Sequence, residues 1–211
     1  MLVLLVLGCL PLAPYQRAQT VGYGNWELGV ETGGAANLAE RDGNGGPALD
    51  VAFRYGLGEQ TDFAARLGSS GVELGMKLGF TDPRYADVSV SMAPGASGAF
   101  VDTEELSTAY GAVHVPVLVG LPVVEGHEVQ LATGLLTHVQ AIPGDHDSLW
   151  SFGATAAVGY AWEATKDVTL LPQVAFYLPF VRSGDASLGG PGAADLAMSG
   201  GIAVLVAPSP W

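Results

Sequence analysis

Apolar and polar residues alternate one by one along most of the chain from about residue 21 onward, the period of a β-strand whose two faces meet different surroundings. The clearest stretch is GVELGMKLGF: Val72, Leu74, Met76, Leu78 and Phe80 face one way, and Glu73, Gly75, Lys77 and Gly79 the other. A helix, turning every 3.6 residues, would scatter that pattern around its circumference. LDVAFRYGL repeats the rhythm, with Leu49, Val51, Phe53, Tyr55 and Leu57 against Asp50, Ala52, Arg54 and Gly56. WSFGATAAVGYAW continues it, with Trp150, Phe152, Ala154, Ala156, Val158, Tyr160 and Trp162 against small residues. Phased this way, the chain predicts about ten strands, near 22–33, 47–57, 61–68, 71–81, 86–93, 108–121, 127–140, 149–162, 168–180 and 194–206. Asp102, three places before Glu105, is the one point where a capped helical turn is expected.

The connections alternate as well. Gly58 to Gln60, Thr81 to Tyr85, Leu121 to Gly126 and Glu163 to Asp167 are short turns, separated by longer Gly- and acid-rich stretches near 34–46, 94–107, 141–148 and 181–193. Short turns at one end and long loops at the other are the asymmetry of a transmembrane barrel. Ser69-Ser70 departs from it by closing a tight hairpin on the long-loop side. An even number of strands leaves both chain ends on the short-turn, periplasmic side. Pro116 and Pro172 fall inside predicted strands and Pro179 near the end of one. A closed barrel has no free edge for a residue without N–H, so bulges or displaced strand ends are expected there.

Composition narrows the surroundings. Of the 211 residues 49% are hydrophobic and only 14% charged, against roughly 25% charged in an ordinary soluble domain. The length suits one domain, and 30 Gly with 13 Pro punctuate short strands and disfavour long helices. Eight Lys and Arg against 21 Asp and Glu leave a net charge of −13, the wrong sign for gripping a phosphate backbone, so nucleic acid is excluded as a partner.

The opening MLVLLVLGCLPLAP is an apolar run broken by Pro11, too short to span a membrane as a helix and of the length of a secretion-signal core. Residues 1–20 are therefore expected to be a leader with a short tail, and 21–211 the barrel domain. Cys9, the only cysteine, follows Val6-Leu7-Gly8 and resembles the acylated cysteine of a bacterial lipoprotein box. Lipidation at Cys9 and removal with the leader both stay open. In either case the barrel has no thiol for an internal disulfide.

Alternation alone does not say which face is outside, because membrane barrels and soluble barrels share it. The polar face decides. Strands facing water usually carry Lys, Glu, Thr and Arg, whereas Ser151, Gly153, Ala157 and Gly159 suit a confined lumen. Trp26, Tyr55, Phe63, Phe80, Trp150, Trp162 and Phe180 lie on the apolar face near strand ends, where rings sit at lipid headgroups. Register arithmetic agrees with an interior polar face. A two-residue turn at Ser69-Ser70 sets Arg66 opposite Glu73 and Asp62 opposite Lys77, and a turn at 58–60 sets Arg54 opposite Ala64, diagonally between Asp62 and Arg66. Asp50, Arg54, Asp62, Arg66, Glu73 and Lys77 thus form a candidate lumen charge cluster. It serves either as a plug that stiffens the barrel or as a selectivity element.

Candidate chemistry is sparse. His114 and His138 share the predicted lumen face of adjacent strands, but the hairpin sets His114 near Leu135 or Leu136, so they are not a pair. Asp145-His146-Asp147 has metal-friendly side chains, yet three consecutive residues of an extended segment do not converge on one ion. Outer-membrane proteases use acids with a histidine at the barrel rim, which makes this loop a point of comparison. No nucleophile triad, phosphate-binding glycine loop or zinc spacing is present. No catalytic residue, metal site or cofactor is expected.

Strand-turn-strand text such as FRYGLGEQTDFAARLG followed by GVELGMKLGF resembles the hairpins of small Gram-negative outer-membrane β-barrel proteins, over roughly residues 21–206. The resemblance implies a single up-and-down antiparallel transmembrane barrel, with the lipid bilayer, lipopolysaccharide and the barrel-assembly machinery as partners. It also implies a final strand ending in an aromatic assembly signal. Here the last predicted strand stops at Val206, and Pro208-Ser209-Pro210-Trp211 follows. That family includes pores, adhesins, anchors and a few enzymes, so the resemblance selects no activity. The expectation is a non-catalytic, porin-like outer-membrane barrel, structural or a restricted channel. A second reading inverts the strands: a secreted or lipid-anchored soluble β-barrel holding a small apolar ligand among Phe53, Leu74 and Trp150. A hydrolase at the loop rim is the third.

Overall fold

The computed structural model describes residues 14–37, 45–69, 71–82, 87–102, 107–141, 149–183 and 197–207. They hold strands and no helix: β1 (Trp26–Asn37), β2 (Gly45–Gly58), β3 (Thr61–Gly68), β4 (Gly71–Gly79), β5 (Ser89–Met92), β6 (Gly95–Asp102), β7 (Ser107–Val124), β8 (His127–Ala141), β9 (Leu149–Thr165), β10 (Val168–Ser183) and β11 (Ala197–Val206). Cys9, the 145–147 loop, Trp211 and most of the expected helical turn at 102–105 lie outside the described residues.

Consecutive strands pair antiparallel except β5 and β6, each of which pairs with β4 and β7 instead, and β1 also pairs with β11, so the sheet closes on itself. β5 and β6 are two pieces of one stave. Met92 lies opposite Val117 and Gly95 opposite His114, three residues on along one strand and three back along the other, so no register is lost across the gap. The barrel therefore has ten staves. The gap at Ala93-Pro94 faces Pro116 and Val115, where two prolines lack the N–H a ladder needs. Ala93 N still donates to Pro116 O at 2.9 Å and Met76 N to Pro94 O at 3.0 Å.

Several strand ends depart from the expectation, and two of them bear on the architecture. The fifth stave was expected to end at 93 but runs to Asp102, which shortens the loop after it to a few residues. Pro94, the first residue of the long loop expected near 94–107, sits in register instead. The first strand begins at Trp26 rather than 22, because Gly22 and Gly24 turn at φ 79° and 74°, a conformation open to glycine. Of the three strand prolines, only Pro179 has a bulge, between it and Val181. Pro116 and Pro172 are in register. Pro116 and Pro179 face Gly134 and Gly153 across the ladder, where a Cβ would stand 2.6 Å and 2.7 Å from the proline Cα.

The faces divide as the alternation predicts. On β10, Val174, Phe176, Leu178 and Phe180 are exposed, while Leu171, Gln173, Ala175 and Tyr177 are buried inside. Leu74 is 54% exposed, whereas Asp62 and Lys77 are 0%. The inner face thus holds the charges, and the outer face is a nearly unbroken apolar band. About ten residues per stave, rising about 3.3 Å each and tilted about 40°, give that band a height of about 25 Å. Soluble proteins rarely leave contiguous apolar patches beyond a few hundred Å². The reading of a soluble barrel around an apolar ligand does not fit this phase, since the Phe53 and Leu74 side chains are exposed on the outer face.

Candidate functional site

The six expected residues all lie on the inner face, in two groups. Nearer the long-loop end, Arg66 pairs with Glu73 across the β3–β4 ladder and with Glu31 at 3.2 Å. His114 Nε2 stands 3.3 Å from Glu73 Oε1. Asp50 is in register with Glu31 and has the Ser69 hydroxyl at 3.4 Å. Nearer the short turns, Arg54 Nε donates to Glu27 at 2.9 Å, and its guanidinium lies 3.6 Å from Asp62. Asp62 and Lys77 are directly opposite. Two carboxylates around one guanidinium, each desolvated, hold together only while all partners are present.

Register arithmetic within single hairpins places Arg66 by Glu73 and Asp62 by Lys77, but it misses Glu27 and Glu31. Both sit on β1, in register with Arg54 and Asp50. The signal was present in WELGVET, where Trp26, Leu28 and Val30 alternate with Glu27, Gly29 and Glu31. Sequence reasoning also misses Gln130, Gln173 and Glu128, all buried in the lumen.

The opposite wall is drier. Ala112, Ala132, Leu136, Ala157, Ala175 and Tyr177 cluster there. His138 Nδ1 lies 3.2 Å from Ser151 Oγ, which lies 3.0 Å from the Tyr177 hydroxyl. His114 is in register with Leu136 and His138 with Ala112, so the two histidines belong to separate networks. Among the described residues the Ser151 contact lacks two features of a hydrolytic triad, access to solvent and an orienting carboxylate. His138, Ser151 and Tyr177 are at most 5% exposed, and no carboxylate orients the imidazole in the described contacts. Among the described residues no cluster is suited to a metal ion.

The lumen is also occupied by the chain itself. Residues 14–21 run inside it, with Tyr15 N donating to Gln173 Oε1 at 2.8 Å, Ala18 N to Gln130 Oε1 at 3.0 Å and Val21 N to Asp62 at 3.1 Å. Arg17 pairs with Glu163 at 2.9 Å and Glu128 at 3.6 Å. Between this segment and the charge cluster remains a cavity of about 40 Å³, room for a few waters and no solute.

No family model and no curated protein matches the sequence. Among solved structures, Ail, the attachment invasion locus protein of Yersinia pestis, in complex with the heparin analogue sucrose octasulfate, is similar over 88% of this chain and 99% of its own, at 8% identity and a TM-score of 0.48. Neisserial surface protein A is similar over 86% and 95%, at 10% identity and 0.42. The outer membrane protease OmpT from Escherichia coli is similar over 87% and 94%, at 10% identity and 0.41. Such values carry no functional argument, and the fold rests on the chain's own pairings. By those pairings the chain is a closed up-and-down antiparallel barrel of ten staves, the fold of Gram-negative outer-membrane β-barrels.

Proposed function

We propose that this chain is a non-catalytic outer-membrane barrel with a closed lumen, acting as a structural element or a restricted channel. The observation that carries the reading is the phase of the staves, with aliphatic and aromatic side chains outward and ion pairs inward. An outward apolar band of this height matches hydrocarbon, which solvates it better than water does. Rings at both edges support the same placement. His127, Tyr160 and Trp162 associate at the short-turn end, with the Tyr160 hydroxyl 2.8 Å from His127 Nδ1. Phe152 and Phe180 meet edge to face at the other. Amphipathic rings at these two levels suit headgroup contact, lipopolysaccharide included. A barrel so placed requires the assembly machinery for insertion. Catalysis keeps only Asp145-His146-Asp147, outside the described residues.

Extraction and electrophoresis test the reading. The protein is expected to stay with membranes until detergent is added and to change apparent size on a denaturing gel after boiling. In planar bilayers it is expected to conduct little or nothing. Release without detergent, or large steady conductance, would overturn the membrane placement or the closed lumen respectively.

A further inference from the structure

We propose that residues 14–21 are not discarded with a leader but remain in the exported protein as an intrachain plug, held in a lumen built to bind an extended polypeptide backbone. This rests on the membrane-barrel reading only for its conductance consequence. Several lumen side chains address the segment through its main chain. Lys77 Nζ donates to the carbonyl oxygens of Arg17 and of Gln19, the latter at 3.1 Å, and Arg54 reaches Gln19 O at 3.4 Å. Gln173, Gln130 and Asp62 accept the N–H groups of Tyr15, Ala18 and Val21. Cations on carbonyls and acceptors on N–H groups satisfy a backbone whatever its side chains, as strand addition does. If the segment were cut away, each of these buried groups would lose that partner, at the cost of an unsatisfied polar group.

The wall also leaves room for it. Gly33 and Gly201 are paired, and a Cβ on either would meet the backbone of the other's strand and also stand 2.9 Å and 2.5 Å, respectively, from the Tyr15 hydroxyl. A Cβ on Gly56 would stand 1.8 Å from Gly22 O, and Gly24 N and Gly56 O share a 2.9 Å hydrogen bond. Tyr15 itself takes φ 35°, a conformation costly for a side-chain-bearing residue and kept only where the surroundings impose it. Toward the short-turn mouth, spaces of about 260 Å³ and 210 Å³ are both lined by Arg17 and Gln19. The segment thus lies between the solvent-facing vestibule and the charge cluster. Any removal of the N-terminal apolar run then stops before Pro14, not at residue 20.

Three measurements on the full-length protein test this. The intact mass of protein isolated from membranes is expected to include Tyr15 through Thr20, and a mature chain beginning at Val21 or later overturns the proposal. Trypsin is expected to spare the Arg17-Ala18 bond in the folded parent and to cut it in a Tyr15→Pro, Val21→Pro variant. Proline cannot adopt φ 35°, and the pair loses two of the N–H donors without touching any stave. The same variant is expected to gain bilayer conductance absent from the parent while keeping its shift on boiling. Equal cutting in parent and variant, or a released segment without conductance, overturns the plug. Gln130→Leu with Gln173→Leu, altering the wall instead, is expected to act in the same direction. Loss of the boiling shift or detergent-free extraction of the parent would defeat the membrane reading instead, and the protection of Arg17 is read independently of either.

Discussion

Arg66→Leu is expected to be the most damaging single substitution in the barrel, destabilising it by about 3–5 kcal/mol. The guanidinium is shared by Glu31 and Glu73, and all three are at least four-fifths buried by side-chain exposure. Leucine leaves two carboxylates which, among the described ion pairs, keep His114 alone, 3.3 Å from Glu73, as a partner that is cationic when protonated. Urea unfolding followed by tryptophan fluorescence in detergent micelles gives the value. The compensated triple variant, Arg66→Met with Glu31→Gln and Glu73→Gln, is expected to recover most of the loss, because removing every charge of a buried network costs far less than stranding part of it. A single variant as stable as the parent would mean that these acids reach water, and that the lumen is open.

Leu74→Lys discriminates the solvent outside. The side chain is 54% exposed, and a substitution at such a surface position in water shifts stability by at most about 0.5 kcal/mol. In hydrocarbon near the bilayer midplane a lysine on the lipid face costs about 2–4 kcal/mol. Leu74 is central in the nine residues of β4, so the upper part of that range is expected, measured by reversible unfolding from lipid vesicles. A change within the aqueous range would place water on the apolar face and remove the basis of the membrane reading.

Much of the architecture was legible because alternation is a local property. The outward row Val72, Leu74, Met76 and the inward row Glu73, Lys77 follow from the pleat of one strand. The Arg66 and Glu73 pairing follows from one two-residue turn, which sets the register of everything behind it. Prolines misled where they were read alone. Pro94 falls in an expected loop, yet it stands in register: it lies opposite Val115, next to the facing pair Ala93 and Pro116, so the two missing N–H groups fall at adjacent levels of one ladder. Neither proline announces the other, being more than twenty residues away along the chain.

The sequence by itself determined the ten staves, their phase and the contrast between an apolar outside and a charged inside, since each depends on neighbours one or two residues apart. Only the tertiary structure decided that Glu27 and Glu31 complete the arginine sites and that residues 14–21 lie within the ring, bonded to Gln130 and Gln173. Those contacts join segments up to 158 residues apart. They arise from how the sheet closes and what it closes around, and a period of two carries no information about either.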